Sequence, residues 1–312
     1  MELDESVVNG VSTTELGKKN YEWKIVWRNV ISFIYIHLAG FYGMYLMFFH
    51  VKYLTVLWYI ACTVFIKIGV TAGVHRLWSH RSYKAKWPMK LILMILQSAA
   101  YQDTIYQWAR DHRVHHKYTD TDADPYNASR GLFFSHIGWL LVRKHPKVTE
   151  KSAMIDCSDL EQDPFVTFQK KWYVWLMPTF GFILPTLIPY WFWNETFSHA
   201  WHVNFARYCT NLNTSWTVNS IAHAWGTKPY DKSIRPTDNI GVAIASLGEG
   251  WHNYHHAFPW DYRAAEEFGI YRINVTTIFI QFFALLGLAY NLKAARPEMI
   301  KHRVSRNGDT SY

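Results

Sequence analysis

Half of the 312 residues are hydrophobic and 18% are charged, so apolar and polar residues must lie in separate blocks. That length allows one large domain or two small ones. Sixteen tryptophans favour a membrane–water interface, and the net charge of +8 suits anionic lipid headgroups, an acidic ligand or an acidic partner. No basic helix or nucleic-acid module stands out, so we expect no nucleic-acid partner.

Residues 1–26 are mostly polar and lack the charged-then-apolar order of a secretory signal peptide. We therefore expect a cytosolic N-terminal segment here and membrane targeting by internal segments. The three cysteines have neither metal-ligand spacing nor the spacing of a disulfide framework, which favours a reducing compartment.

Four stretches offer the roughly 20 residues that a membrane span needs. The first two, 30–49 and 54–73, are joined by a short turn and predict a helical hairpin. The third, 172–193, contains three prolines that we expect to kink or end it, Pro178, Pro185 and Pro189.

The fourth stretch, 201–225, is interrupted by an arginine and several asparagines. Because polar residues in a span usually face a protein interior or cavity, we expect this span to be functional. Two shorter apolar stretches, 90–108 and 273–292, predict helices that are buried or interfacial and do not span the membrane.

Charge predicts the topology. Residues 76–171 carry fifteen Lys or Arg, whereas the turns at 50–53 and 194–200 carry only Lys52. The positive-inside rule then places both termini in the cytosol. We predict an all-α integral membrane protein with four transmembrane helices and a cytosolic helical cap that holds a di-metal centre. Residues 27–308 would form a single domain, with the cap at 74–171 and 226–308 and a short tail at 309–312.

Histidines form three clusters outside the predicted spans, and His223 stands alone at the end of the fourth. On a helix, the spacing i, i+3, i+4 places three side chains on one face, and adjacent residues differ by about 100°. Adjacent histidines could therefore serve two neighbouring metals. His75 and His80 are five apart, so we expect the helix to fray between them. The clusters are His75 and His80; His112, His115 and His116; and His252, His255 and His256.

Neutral imidazole suits Zn, Cu, Fe and Ni, so spacing alone leaves the metal open. With His223, nine rings could form two sites with exchangeable positions, which catalysis requires and structural zinc lacks. Nearby carboxylates that could orient the rings are Asp103, Asp111, Asp120, Asp124 and Glu249. The other histidines are expected to be ordinary core or interface residues: His37, His50, His136, His145, His199, His202 and His302.

Five motifs extend these clusters: Thr71–His80, Trp108–His116, Asp122–Pro125, Gly138–Pro146 and Gly248–His256. With them, the sequence resembles membrane fatty acyl-CoA desaturases of the stearoyl-CoA desaturase type, and their insect members in particular, from about Trp27 to Gly308. The resemblance implies an endoplasmic reticulum enzyme that introduces a cis double bond into a saturated acyl-CoA with O2. It also implies two irons held by the nine histidines, with Asn219 holding a water at one metal.

Residues similar to those that contact the CoA head group are Arg28, Asn29, Gln102, Arg110, Asp111, Arg143 and Lys144. Three of the basic ones, Arg110, Arg143 and Lys144, could instead be solvated or contact lipid headgroups. Trp216 and Thr217 are candidates for the bend that a cis product requires of the acyl tunnel.

Two departures from the family leave the double-bond position and chain length open. Lys67 stands in a span where the family has an uncharged tunnel residue, and it either lines the tunnel or snorkels to the cytosolic face. Arg235–Asp238 occupies a segment that varies among insect desaturases of differing regioselectivity. An ordinary Δ9 position and a pheromone-type position such as Δ11 both remain open.

Electrons must come from a separate donor, and the resemblance implies cytochrome b5 and its reductase, for which the basic cap would suit an acidic partner. A related di-iron membrane hydroxylase would keep the same histidines and give an alcohol. A membrane metal transporter or scaffold is a further alternative, although histidines clustered on one membrane face fit it less well.

Overall fold

The computed structural model describes residues 21–266 and 274–309, so most of segment 1–26 and of the tail at 309–312 lies outside the description. The predicted all-α class is confirmed, with one two-stranded sheet in the described residues. The α-helices are α1 (Trp27–Phe49), α2 (Tyr53–Ile68), α3 (Trp87–Ala100), α4 (Ile105–Tyr118), α5 (Trp139–Leu141), α6 (Pro146–Ser152), α7 (Ser158–Glu161), α8 (Pro164–Pro178), α9 (Leu184–Trp193), α10 (Phe197–Ser220), α11 (Ile240–Ala245), α12 (His252–Ala257), α13 (Val275–Leu285) and α14 (Pro297–Asn307).

Within the described residues, three continuous helical stretches are long and apolar enough to cross a membrane. They are Trp27–Phe49, Tyr53–Ser79 and Pro164–Trp193, and they contain the first three predicted spans. Helix α10 covers most of the fourth and, at 24 residues, is about 36 Å long. Asn204, Arg207 and Asn211 of this helix are buried, and the Arg207 guanidinium donates to the Asn204 side chain and to two backbone carbonyls.

Helices α1 and α10 pack closely because glycines remove side chains from their contact. A methyl group at Gly43 would clash with the carbonyl oxygen of His202, and one at Gly40 would lie 2.8 Å from Cβ of Cys209. Small residues at such positions let two helix backbones approach closely. The opposite side of α1 exposes large apolar side chains such as Phe41 and Phe48.

The second span ends in a π-helix, Gly69–Ser79, which corrects the prediction that the helix frays between His75 and His80. Its backbone bonds join residues five apart, and the N–H of His80 donates to the carbonyl of His75 at 3.1 Å. A spacing of five therefore brings both side chains to one face without a break.

The prolines of the third span do not end its helix, which runs from Pro164 to Trp193. A π-helical segment, Thr179–Ile183, follows Pro178, and α9 then continues to Trp193. Proline has no backbone N–H, and the helix continues despite the hydrogen bonds that are therefore missing. Helices α3 and α13 fall within or close to the two shorter apolar stretches, and neither is long enough to span.

The C-terminal part of the chain is joined to the end of the second span and to the strand that follows that span. Strand β1 (Lys84–Ala85) pairs antiparallel with β2 (Ala289–Tyr290). The fully buried Arg76 guanidinium donates to Glu249 and to four groups of the C-terminal segment, namely the carbonyls of Tyr262 and Arg263 and the side chains of Asn274 and Thr277. These contacts hold the end of the second span against residues 248–256.

Candidate metal centre

Nine histidines from distant parts of the chain converge in two adjoining clusters. In each cluster, one ring nitrogen per residue lies within 4.8 Å of all the others. The first cluster is His75, His80, His112, His116 and His255, and the second is His115, His223, His252 and His256. The clusters are neighbours, since the rings of His116 and His256 stack with centroids 4.2 Å apart.

Two short helices supply rings to both clusters. Helix α4 sends His112 and His116 to the first cluster and His115 to the second, and its N-terminus is capped by the Thr104 side chain. Helix α12 likewise divides the adjacent histidines His255 and His256 between the clusters. Adjacent positions on a helix point about 100° apart, so each pair reaches two sites.

Carboxylates hold three of the rings in place. Glu249 accepts from Nδ1 of His75 at 2.9 Å, and Asp124 accepts from Nδ1 of His115 at 2.9 Å. Asp120 lies 3.4 Å from Nδ1 of His223. A carboxylate on Nδ1 fixes the tautomer and leaves the Nε2 lone pair to face the cluster.

The remaining two predicted carboxylates do not contact the histidines. Asp111 pairs with Lys144 and accepts from Gln107, and Asp103 lines a cavity beside the clusters. Burial and the charges of neighbouring rings lower the pKa of six cluster histidines well below its usual value: His80, His112, His116, His252, His255 and His256. These rings are therefore neutral and can donate lone pairs.

The buried Glu249 carboxylate is ionised. Burial alone would raise its pKa, but Arg76 and His75 outweigh that effect and hold the pKa at about 2. At the second cluster, burial opposes protonation of His115, yet Asp124 raises the pKa of that ring above its usual value.

The donor set fits two metal cations. Facing Nε2 atoms lie 2.8 Å apart for His80 and His112, and 3.0 Å apart for His75 and His255. A metal–nitrogen bond of about 2.1 Å gives about 3.0 Å between ligands at right angles. Nε2 of His115 is buried and has no hydrogen-bond partner among the described residues, as a lone pair directed at a cation would be.

A cavity of about 570 Å³ ends at both clusters, where His75, His112 and His252 line it. Much of its wall is apolar and comes from the first two spans and α10, including Phe33, Ile36, Val70, Leu212, Trp216 and Val218. Asn219 lines the same cavity. Trp216 lies in the wall as predicted, whereas Thr217 is not a lining residue and its hydroxyl donates to the carbonyl of Thr214.

Four of the predicted CoA contacts line this cavity, namely Arg28, Asn29, Gln102 and Asp111. The amide of Asn29 donates to the carbonyl of Leu140 at 2.7 Å, which joins α1 to the segment that contains Arg143 and Lys144. Arg110 lies 3.6 Å from Asp111, and Lys144 pairs with the same carboxylate. Arg28 thus lines the cavity, Arg110 and Lys144 lie against the lining residue Asp111 without lining the cavity themselves, and Arg143 is exposed.

Lys67 lines the cavity and is only 2% exposed. Its amino group donates to the carbonyl of Asn211 at 2.8 Å and to the Ser215 hydroxyl at 2.9 Å. The snorkelling alternative is therefore wrong, because the amino group lies inside the protein and does not reach the surface.

Two functional roles were missed from the sequence. Asp238, in the variable segment Arg235–Asp238, accepts from the N–H groups of Asn253 and Tyr254 and so caps α12, which bears three cluster histidines. Arg76 orients Glu249. No sequence signal identifies either role, because both depend on tertiary contacts. The seven remaining histidines lie outside both clusters: His37, His50, His136, His145, His199, His202 and His302.

Fold and site together define a multi-pass helical membrane protein with two adjoining histidine clusters at the end of a cavity. Comparison with known proteins gives the family. Residues 53–267 match the model named "Fatty acid desaturase", and the chain belongs to that family.

Curated relatives match nearly the whole chain. It is 58% identical to an acyl-CoA Delta-9 desaturase of Acheta domesticus, over 95% of this chain and 82% of that protein. A Delta12-desaturase of the same species is 56% identical, over 94% and 82% of the two chains. A Delta(11) desaturase of Spodoptera littoralis is 54% identical, over 95% and 86%.

Proposed function

We propose that this chain is an acyl-CoA desaturase that introduces a cis double bond into a saturated fatty acyl-CoA. The observation that carries the proposal is the cavity that ends at both histidine clusters. The curated relatives named as acyl-CoA desaturases support the same reaction. Removing two hydrogens with O2, two electrons and two protons gives the alkene and two waters.

The proposed ligands are the nine cluster histidines, with Asn219 holding a water at one site. When bound, two iron ions would supply the oxidant that an unactivated methylene requires, which side-chain acid–base chemistry cannot provide. Iron is proposed over zinc because the reaction needs a redox-active metal.

The protein's own contribution is orientation and exclusion of water. Glu249 and Asp124 hold imidazoles in one tautomer, and burial favours the neutral form of the six cluster rings whose pKa it lowers. The cavity wall, with Trp216 at the proposed bend, would fix which carbon pair lies beside the clusters.

The head group would bind at the polar side of the cavity. Arg28, Arg110, Arg143 and Lys144 would neutralise CoA phosphates, and Asn29, Gln102 and Asp111 would add hydrogen bonds. Relatives of similar identity are named for three different double-bond positions, so we propose a Δ9 or a Δ11-type position.

We also propose four transmembrane helices, with α10 as the fourth, and a cytosolic cap, all within one domain at 27–308. Both termini would be cytosolic and the membrane that of the endoplasmic reticulum. Electrons would come from cytochrome b5 and its reductase, since an acidic donor suits the basic cap.

Expression in yeast that lacks its own desaturase tests the reaction, with double bonds mapped by mass spectrometry. We expect new cis alkenes with the wild type and none with His255→Ala, while the surface variant His302→Ala keeps activity. An alcohol product would select a hydroxylase. No product from any saturated chain, with folded protein and donor present, would refute the proposal.

A further inference from the structure

A partly buried polar cluster interrupts the apolar wall of the cavity, and the proposed reaction gives its lysine and its serine no role. We call Lys67, Gln102, Asn211 and Ser215 the Lys67 cluster. The Lys67 amino group donates to the Asn211 carbonyl and to the Ser215 hydroxyl, and the Gln102 amide donates to the same hydroxyl at 3.2 Å. Lys67, Gln102 and Ser215 line the cavity.

Counting hydrogen-bonding positions shows that this cluster is incomplete in the described part of the chain. A protonated amine keeps a third N–H, and a neutral amine keeps a lone pair, so Lys67 has one open position in either state. The Ser215 oxygen accepts two bonds, which leaves its own hydrogen without an acceptor. The Gln102 side-chain oxygen has no donor.

A methylene chain cannot satisfy these groups. Burying a polar group without a partner is unfavourable, and it is most unfavourable beside a charge. An oxygen that both donates and accepts, such as a hydroxyl or a water, would complete the cluster. Lys67 precedes His75 by eight residues on one helix, so the site lies roughly 10 Å along the helix from the histidines.

We propose that the Lys67 cluster binds a hydroxyl-type oxygen inside the acyl cavity. The oxygen comes either from an oxygenated acyl chain or from a water retained beside a plain chain. The proposal rests on the proposed function only in assuming that the cavity holds an acyl chain. It makes Lys67 a residue that determines substrate specificity, distinct from the groups that hold the metals.

Competitive displacement of a fluorescent acyl-CoA from the purified protein in detergent tests the site independently of turnover. The competitors are stearoyl-CoA and a set of hydroxyoctadecanoyl-CoA esters with the hydroxyl at successive carbons. The variants are Lys67→Met and Ser215→Ala. The matched control is Ser98→Ala, because the Ser98 hydroxyl is buried and bonds to Met94 but does not line the cavity.

With a substrate hydroxyl in the site, the wild type binds one positional isomer roughly tenfold more tightly than stearoyl-CoA. Lys67→Met removes that preference, and Ser98→Ala keeps it. With a water in the site, the wild type shows no isomer preference, and Lys67→Met binds stearoyl-CoA several-fold more tightly while Ser98→Ala does not. Both results support the proposal.

Equal affinities of wild type and Lys67→Met for every competitor would overturn the proposal. The affinities are dissociation constants of the folded protein that binds the fluorescent acyl-CoA, so a lower yield of folded variant does not affect them. Failure of the wild type to form any alkene, with these affinities intact, would refute the proposed reaction and leave the oxygen site standing.

Discussion

The substitution Glu249→Gln tests whether this carboxylate both orients a cluster histidine and balances a buried arginine. Its oxygens accept from Nδ1 of His75 at 2.9 Å and from the Arg76 guanidinium at 2.8 and 3.0 Å. Glutamine keeps the shape, but it removes the negative charge and places an amide donor against one of these donors.

Two magnitudes follow from these contacts. Removing one partner of a buried ion pair costs about 3–5 kcal/mol. The lower end is expected, because Arg76 keeps its bonds to the C-terminal segment. The pKa gives a similar value, since a drop from 4.5 to about 2 corresponds to about 3 kcal/mol. Loss of an orienting group lowers metal affinity roughly 10–100-fold.

Purified protein in detergent is assayed for bound iron and for thermal unfolding. Glu249→Gln should lower the melting temperature by roughly 5–10 °C and lose iron at chelator concentrations that the wild type resists. The control is Glu195→Gln, a buried carboxylate bonded to Lys52 and Thr55 outside both clusters. It should lose some stability and retain iron. A Glu249→Gln protein with wild-type melting and iron content would refute the reasoning.

Three further outcomes are expected. Asp124→Asn should lower the metal affinity of the second cluster only, because His115 loses the carboxylate that orients it. The iron content should therefore fall from two toward one per chain. Loss of both irons, or of neither, would contradict this prediction. Chelator-treated protein should lose stability as the pH falls below about 6.5. The cluster rings such as His112 and His255 have lowered pKa values in the folded protein, so the unfolded chain binds more protons. An unchanged melting temperature between pH 7 and 5 would contradict this prediction. Gly43→Leu should separate α1 from α10 and destabilise the protein by about 1–3 kcal/mol in thermal unfolding, unlike Gly241→Ala, where a methyl group meets only an ordinary contact.

The first three apolar spans and the histidine clusters could be predicted because both depend on local spacing. A run of apolar residues long enough to cross a bilayer has few alternatives to a transmembrane helix. Histidines at i, i+3 and i+4 share one helical face wherever that helix lies, and the division of His115 from His116 follows from the same geometry. The local pattern failed at His75 and His80, where a π-helix replaced the expected break.

Local spacing could not predict the cavity or its polar site, because they depend on contacts between residues far apart in the chain; the acyl tunnel is expected only from the family resemblance. Asn211 and Ser215 approach Lys67 only when α10 packs against the second span. Thr217 lies two residues from Ser215, but the helix turns it away from the cavity. The sequence alone therefore determined which segments are long and apolar and which segments carry histidines, since each is a property of a short segment. Tertiary packing decided which side chains meet. The sequence sets the length of a membrane helix, but the rotation of that helix about its axis is fixed only by contact with neighbouring helices.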